Sequence, residues 1–132
     1  MITFNNTKEL EKFTLITMHG LFNQIRLNLI TIENAEHILF TPYIMNKLKK
    51  NNVSGEILSL VHEGTELEDL KSLNILSDEE LSRLINETER LLKNYHDIEF
   101  NDKIYNNFVI DKASTSNNLF FIKNMKTCSR KA

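Results

Sequence analysis

The sequence predicts a mainly α-helical protein, a single-domain helical bundle around one long N-terminal helix, followed by a C-terminal segment that is irregular or holds short strands. Three observations predict it. Among 132 residues there are three Gly and one Pro, so the residues that most disfavour helix interiors are scarce. Leu15, Met18, Phe22, Ile25, Leu29 and Ile32 recur at alternating steps of three and four, the period of one helix face. Ser, Thr or Asn repeatedly stands just ahead of such apolar runs, where a side-chain oxygen can accept from the free amides of a first turn.

The chain is long enough to bury a core without disulfides or metals. Its expected organisation is one domain over 1–123, with a helical core at 7–95 and an irregular or short-stranded stretch at 96–123, and then a flexible basic tail at 124–132. Composition fits a globular protein, at 41% hydrophobic and 26% charged residues.

Taken in order, Asn6 with Glu9 three residues later opens a helix expected from Thr7 to Leu29 or Ile30. Leu10, Phe13, Ile16, Leu21, Leu27 and Ile30 widen its apolar surface, so several elements are expected to pack on it. Gly20 inside this helix predicts a close helix crossing. Thr31 caps a short helix from Ile32 to Leu39, and Thr41 with Pro42 at the first helical position starts a third, running to Lys50. Phe40 and Met45 occupy the positions of a hydrophobic staple across that start. The pairs Asn51-Asn52, Asn106-Asn107 and Asn117-Asn118 reflect genomic base composition, although Asn51-Asn52 also makes a turn.

Ser54 caps a fourth helix that presents Ile57, Leu58, Leu60 and Val61 and is expected to close at Gly64, where a residue without a side chain can turn left-handed. Thr65 and Glu68 have the spacing of a capping box for the next short helix, which carries Leu67, Leu70 and Leu73. Ser77 and Glu80 form a second box, and Leu81, Leu84, Ile85, Thr88, Leu91, Leu92 and Tyr95 give one face of a helix from Asp78 to Tyr95. Beyond it, Ile98 to Phe100, Phe108 to Ile110 and Leu119 to Ile122 are short apolar runs between polar clusters.

Charge is unevenly spread. From Glu56 to Asp102 there are thirteen acidic against four basic residues, a net of −9, although the whole chain carries only −2. Such a middle repels phosphates and attracts basic partners. After capping by Thr65, Glu68, Ser77 and Glu80, the carboxylates Glu63, Glu66 and Asp69 are left as a candidate binding surface. His62, Glu66 and Asp69 also have spacings at which helical side chains share a metal, but a helix break at Gly64-Thr65 would part them, so no metal site is assigned.

A second candidate set, His19, Phe22 or Asn23, and Arg26, lies along neighbouring turns of the first helix; a general base needs an oriented partner and the sequence assigns none, so these read as satisfied, partly buried polar groups. His37 and His96 fall next to helix ends and read as surface residues. No phosphate-cradling glycine loop, nucleophile elbow or zinc spacing is present, so neither catalytic residues nor a cofactor are expected. Pro42 to Lys50, the turn at Asn51 to Val53 and Ser54 to Glu63 have the proportions of a helix-turn-helix. The would-be recognition helix exposes Ser54, Glu56, Ser59, His62 and Glu63 with no Lys or Arg, which argues against nucleic acid as partner. Cys128 alone cannot form an internal disulfide, and Phe13 to Ile32 carries too many polar groups to span a bilayer. A cytoplasmic protein without a membrane partner is the expectation.

Leu39-Phe40-Thr41-Pro42, then Gly64-Thr65-Glu66-Leu67-Glu68-Asp69-Leu70 and Ser72-Leu73, resemble a small bacterial family of helical proteins of unknown function, over about 7–95. The resemblance implies an all-helical bundle in a bacterial cytoplasm and offers no catalytic residue to transfer. The functional expectation is a protein-protein interaction module, immunity or antitoxin-like, whose acidic surface covers a basic partner. The alternatives are a metal-dependent or general acid/base enzyme built on 62–69, and a helix-turn-helix-like regulator.

Overall fold

The computed structural model of the protein describes residues 4–100, and residues 1–3 and 101–132 lie outside that description. Asn6–Glu99 form one compact unit, and every element below belongs to it. The fold is mainly helical: α1 is Thr7–Arg26, α2 Ile32–Ile38, α3 Pro42–Lys50, α4 Gly55–Thr65, α5 Leu67–Ser72 and α6 Asp78–Leu92, continued by a 3-10 turn at Lys93–Tyr95. Residues 96–100 form no strand, and the rest of the expected short-strand region and basic tail falls outside the described residues.

Helix starts follow the sequence closely. Asn6 accepts from the Glu9 amide at 2.9 Å, Thr31 from Asn34 at 3.1 Å, Thr41 from Ile44 at 3.1 Å and Ser77 from Glu80 at 3.2 Å. Ser54 caps α4 through a longer contact of 3.5 Å to Ile57. Each of these residues has the extended ψ that aims a short oxygen at the first turn.

Helix ends follow it in part: α3 stops at Lys50 before the expected Asn51-Asn52 turn, whereas α1 stops short and α4 runs past Gly64. Asn28, Asn52 and Asn74 have φ of 60°, 62° and 59°, and no described glycine has a positive φ. Each Asn stands just past the C-cap of α1, α3 or α5. The amide after it reaches back to the third-last helical carbonyl: Leu29 to Gln24 at 2.8 Å, Val53 to Leu48 at 3.2 Å and Ile75 to Leu70 at 3.0 Å. The Asn amides bond one residue further on, to Ile25, Lys49 and Lys71. All three helices therefore close in a Schellman turn with Asn as the left-handed residue, because its short amide side chain tolerates that backbone better than other non-glycine residues do. Asn abundance thus has a structural use here. Asn28 also stops α1 at Arg26, short of the expected Leu29 or Ile30.

Gly64 is not a helix stop. It lies buried within α4, and a β-carbon added there would clash with the Phe40 ring. Phe40 is itself buried and stacks on Phe22 of α1, with centroids 5.3 Å apart and planes 14° from parallel. The glycine is needed for close approach of an aromatic face to helix backbone, while its conformation remains ordinary. Gly20, where a close crossing was expected, has only Gln24 Nε2 of its own helix nearby, 3.6 Å from an added β-carbon.

The core is assembled from Leu15, Met18, Phe22 and Ile25 on α1, Ile57, Leu60 and Val61 on α4, Leu67 on α5, and Leu81, Leu84, Ile85 and Leu91 on α6. Within it, α1 and α6 form the most extensive helix pair. A buried carboxylate ties their surroundings together. Glu11 of α1, 3% exposed, accepts from the Tyr95 hydroxyl at 2.9 Å and from the Ser54 amide at 2.7 Å, with Lys8 Nζ at 3.6 Å. Burial, reinforced by this carboxylate, pushes the Tyr95 hydroxyl up to about 12.

The two internal glycines predict opposite outcomes. Gly64→Ala lowers stability by about 1–3 kcal/mol, because the methyl must displace the Phe40 ring. Gly20→Ala raises it by about 0.5–1 kcal/mol, since only helix propensity changes. Urea unfolding of both variants checks the pair, and a stabilising Gly64→Ala would contradict the packing.

Candidate functional site

The stretch from His62 to Leu70 was expected to contain a helix break, a capping box and three unengaged carboxylates. It contains a continuation. α4 runs through Gly64 to Thr65, Glu66 has helical φ and ψ of −95° and −4°, and α5 begins at Leu67 without a side-chain cap. Because Thr65 is still helical, its hydroxyl donates to its own turn, to the His62 carbonyl at 2.5 Å. The Thr65–Glu68 box therefore does not form. The Ser77 box forms in its serine half, while the Glu80 carboxylate goes to Arg83 instead.

Of the three candidate binding carboxylates, Glu63 is engaged. Arg83 of α6 bonds it across the helix gap, together with Glu80 at 2.6 Å. Seven residues on, Arg90 repeats the arrangement with Glu56 of α4 at 2.8 Å and Glu87 at 2.9 Å. Glu56 and Glu63 on α4 are also seven apart, two helical turns, so the pairs stack as rungs between α4 and α6. A shallow cavity of about 220 Å³ lies along them, lined also by Ser59, Leu60 and Leu91. Hydrogen bonds from the arginines hold Glu80 and Glu87 below the usual carboxylate range and push both guanidiniums up. Two arginines meet four carboxylates, so the face keeps an excess of negative charge. As exposed pairs screened by solvent, the rungs add little to stability.

Glu66 and Asp69 are exposed at the start of α5. Since α4 is unbroken, His62 and Glu66 do share a face, with Nε2 and Oε1 3.7 Å apart. Among the described residues no group of three or more His, Cys, Asp or Glu side chains is placed to hold a metal ion. The exposed residues of α4 are Gly55, Glu56, Ser59 and His62, without a cation to meet a phosphate.

The polar set on α1 gains the partner that sequence could not assign. His19 Nε2 lies 2.8 Å from Glu89 Oε2 of α6, Asn23 donates to the His19 carbonyl at 2.9 Å, and Arg26 donates to Asn23 at 3.3 Å. The pair opens on a shallow cavity of about 750 Å³ lined also by Leu92, Lys93, His96 and Asp97. A carboxylate at this distance can fix the tautomer of the imidazole. The cavity lining offers no hydroxyl or thiol nucleophile. His37 and His96 are exposed, as expected.

Glu68, half-buried, faces the exposed Glu33 of α2. Its Oε2 is buried with no hydrogen-bond partner, and desolvation followed by repulsion from Glu33 raises its pKa above the ordinary value. Glu33 is lowered, chiefly by a backbone hydrogen bond. For a raised group, the stabilising contribution is complete below the unfolded pKa of about 4.3 and disappears as pH rises through the folded value. Glu68→Gln is therefore expected to raise the urea midpoint at pH 7, with the gain vanishing below about pH 4. A loss of stability at pH 7 would contradict this reading.

Among the described residues no helix is long and apolar enough to cross a membrane. No curated protein and no solved structure matches the chain. A family model described as "Protein of unknown function (DUF3969)" matches residues 5–107, beyond both ends of the 7–95 span expected from the resemblance. By that match over most of its length, the chain belongs to this family of unknown function.

Proposed function

We propose that the protein is a non-catalytic interaction module of the bacterial cytoplasm, which binds a basic partner protein through the acidic surface of α4, α5 and the facing side of α6. An immunity or antitoxin-like role, covering a cationic target, fits this chemistry. The supporting observation is the charge excess along the Arg83 and Arg90 rungs, where four carboxylates share two guanidiniums, with Glu66 and Asp69 exposed beside them. A paired arginine and glutamate are already oriented, so an incoming Lys or Arg meets carboxylates whose side-chain freedom is partly spent. Charge of this kind speeds encounter and selects partners more than it adds affinity. Duplex DNA is a poor partner for the same surface, since its phosphates would face carboxylates.

The test is an affinity pull-down from the native host at low salt, comparing the wild type with a Glu66→Lys/Asp69→Lys variant. Both side chains are exposed, so the variant is expected to fold. The proposal expects a basic protein that is retained by the wild type, released as salt rises, and absent from the variant. Equal recovery by both proteins, or no partner at all, would count against it.

A further inference from the structure

Three helices end in the same turn, and two of those turns leave their apolar residue in water. In a Schellman turn the residue after the left-handed position usually packs back on its own helix. Val53, after Asn52, is buried accordingly. Leu29, after Asn28, and Ile75, after Asn74, are 68% and 60% exposed. Leu27 and Leu73, on the other side of each Asn, are equally uncovered. Both turns border one cavity of about 580 Å³, formed where α1 and α5 end and α2 and α6 begin.

The cavity lining includes the aliphatic residues Leu29, Ile30, Leu76 and Leu81 and two cations, Arg26 and Lys71. Asp78 is its one acidic lining residue. Lys71 is also one of only four basic residues in the acidic stretch from Glu56 to Asp102. We propose that this cavity binds a small aliphatic carboxylate, with the chain against Leu29 and Leu76 and the anionic head at Arg26 and Lys71. Its volume falls in the range of small-molecule sites, about 300–1,000 Å³. Covering the aliphatic side chains removes apolar surface from water, which favours an alkyl chain over a compact anion. Arg26 already donates to Asn23, but a guanidinium has five N–H donors and can meet a carboxylate as well. Lys71 also faces Glu33 and Glu68, which compete for its charge. The closed backbone bonds of both Asn turns hold the rim in place before binding.

Octanoate, below its micelle concentration, is the probe, followed by amide NMR of the full chain. The expected result is saturable shifts centred on Leu29, Ile30 and Leu76, with octylammonium and butanoate each binding at least about tenfold more weakly. Arg26→Gln/Lys71→Gln weakens octanoate by about tenfold or more, and Asp78→Asn tightens it. Leu29→Ser, at an exposed position that leaves the fold intact, also weakens it. Absence of saturable shifts, shifts centred elsewhere, or equal binding of octylammonium would overturn the proposal.

Discussion

The contact on which the arrangement depends is the Phe40 ring lying on the backbone of Gly64. Phe40 belongs to the short link between α2 and α3, and its ring also stacks on Phe22 of α1. One aromatic side chain thus fixes three parts of the chain against each other. The cap at Thr41 and the proline at 42 start α3 directly after the ring, so the position of α3 follows from where Phe40 is held. Two stretches far apart in the sequence, Leu39 to Pro42 and Gly64 to Leu70, meet at this contact. What looked like two separate sequence features is one packing unit.

Because Gly64 is a helical contact, α4 does not end there, and the residues after it change role. Thr65 completes α4 instead of capping α5, and Glu68 is released to face Glu33. The acidic middle is then organised from outside the stretch, by Arg83 and Arg90 reaching across from α6. Glu11 performs the corresponding task inside, where Tyr95 and the Ser54 amide satisfy a carboxylate that would be costly to bury alone. The charge left over after this internal pairing, at Glu66, Asp69 and the unmatched rung carboxylates, is what a partner would meet.

Helix starts were legible in the sequence, because a cap is decided by one short side chain and the three residues after it. Asn6, Thr31, Thr41, Ser54 and Ser77 all act as their spacing implies. The same local logic failed at Gly64-Thr65, where a distant ring, not the local pattern, decides the conformation. It also gave no sign of the left-handed turns at Asn28 and Asn74, although the turn expected at Asn51-Asn52 forms. The His19–Glu89 pair spans 70 residues and left no local signal. The rungs between α4 and α6 did leave one, the shared spacing of seven between Glu56 and Glu63 and between Arg83 and Arg90, but only knowledge that these helices face each other turns it into a contact.

The central claim is that Gly64 is a helical residue under an aromatic ring. Carbon and proton NMR of the native protein, labelled with carbon-13, tests it most directly at the Gly64 Cα and its α-protons. The account predicts a helical Cα shift at Gly64, strong nuclear Overhauser contacts from its α-protons to the Phe40 ring, and a ring-current displacement of those protons well upfield. A left-handed shift pattern at Gly64, with no contact to Phe40, would contradict it.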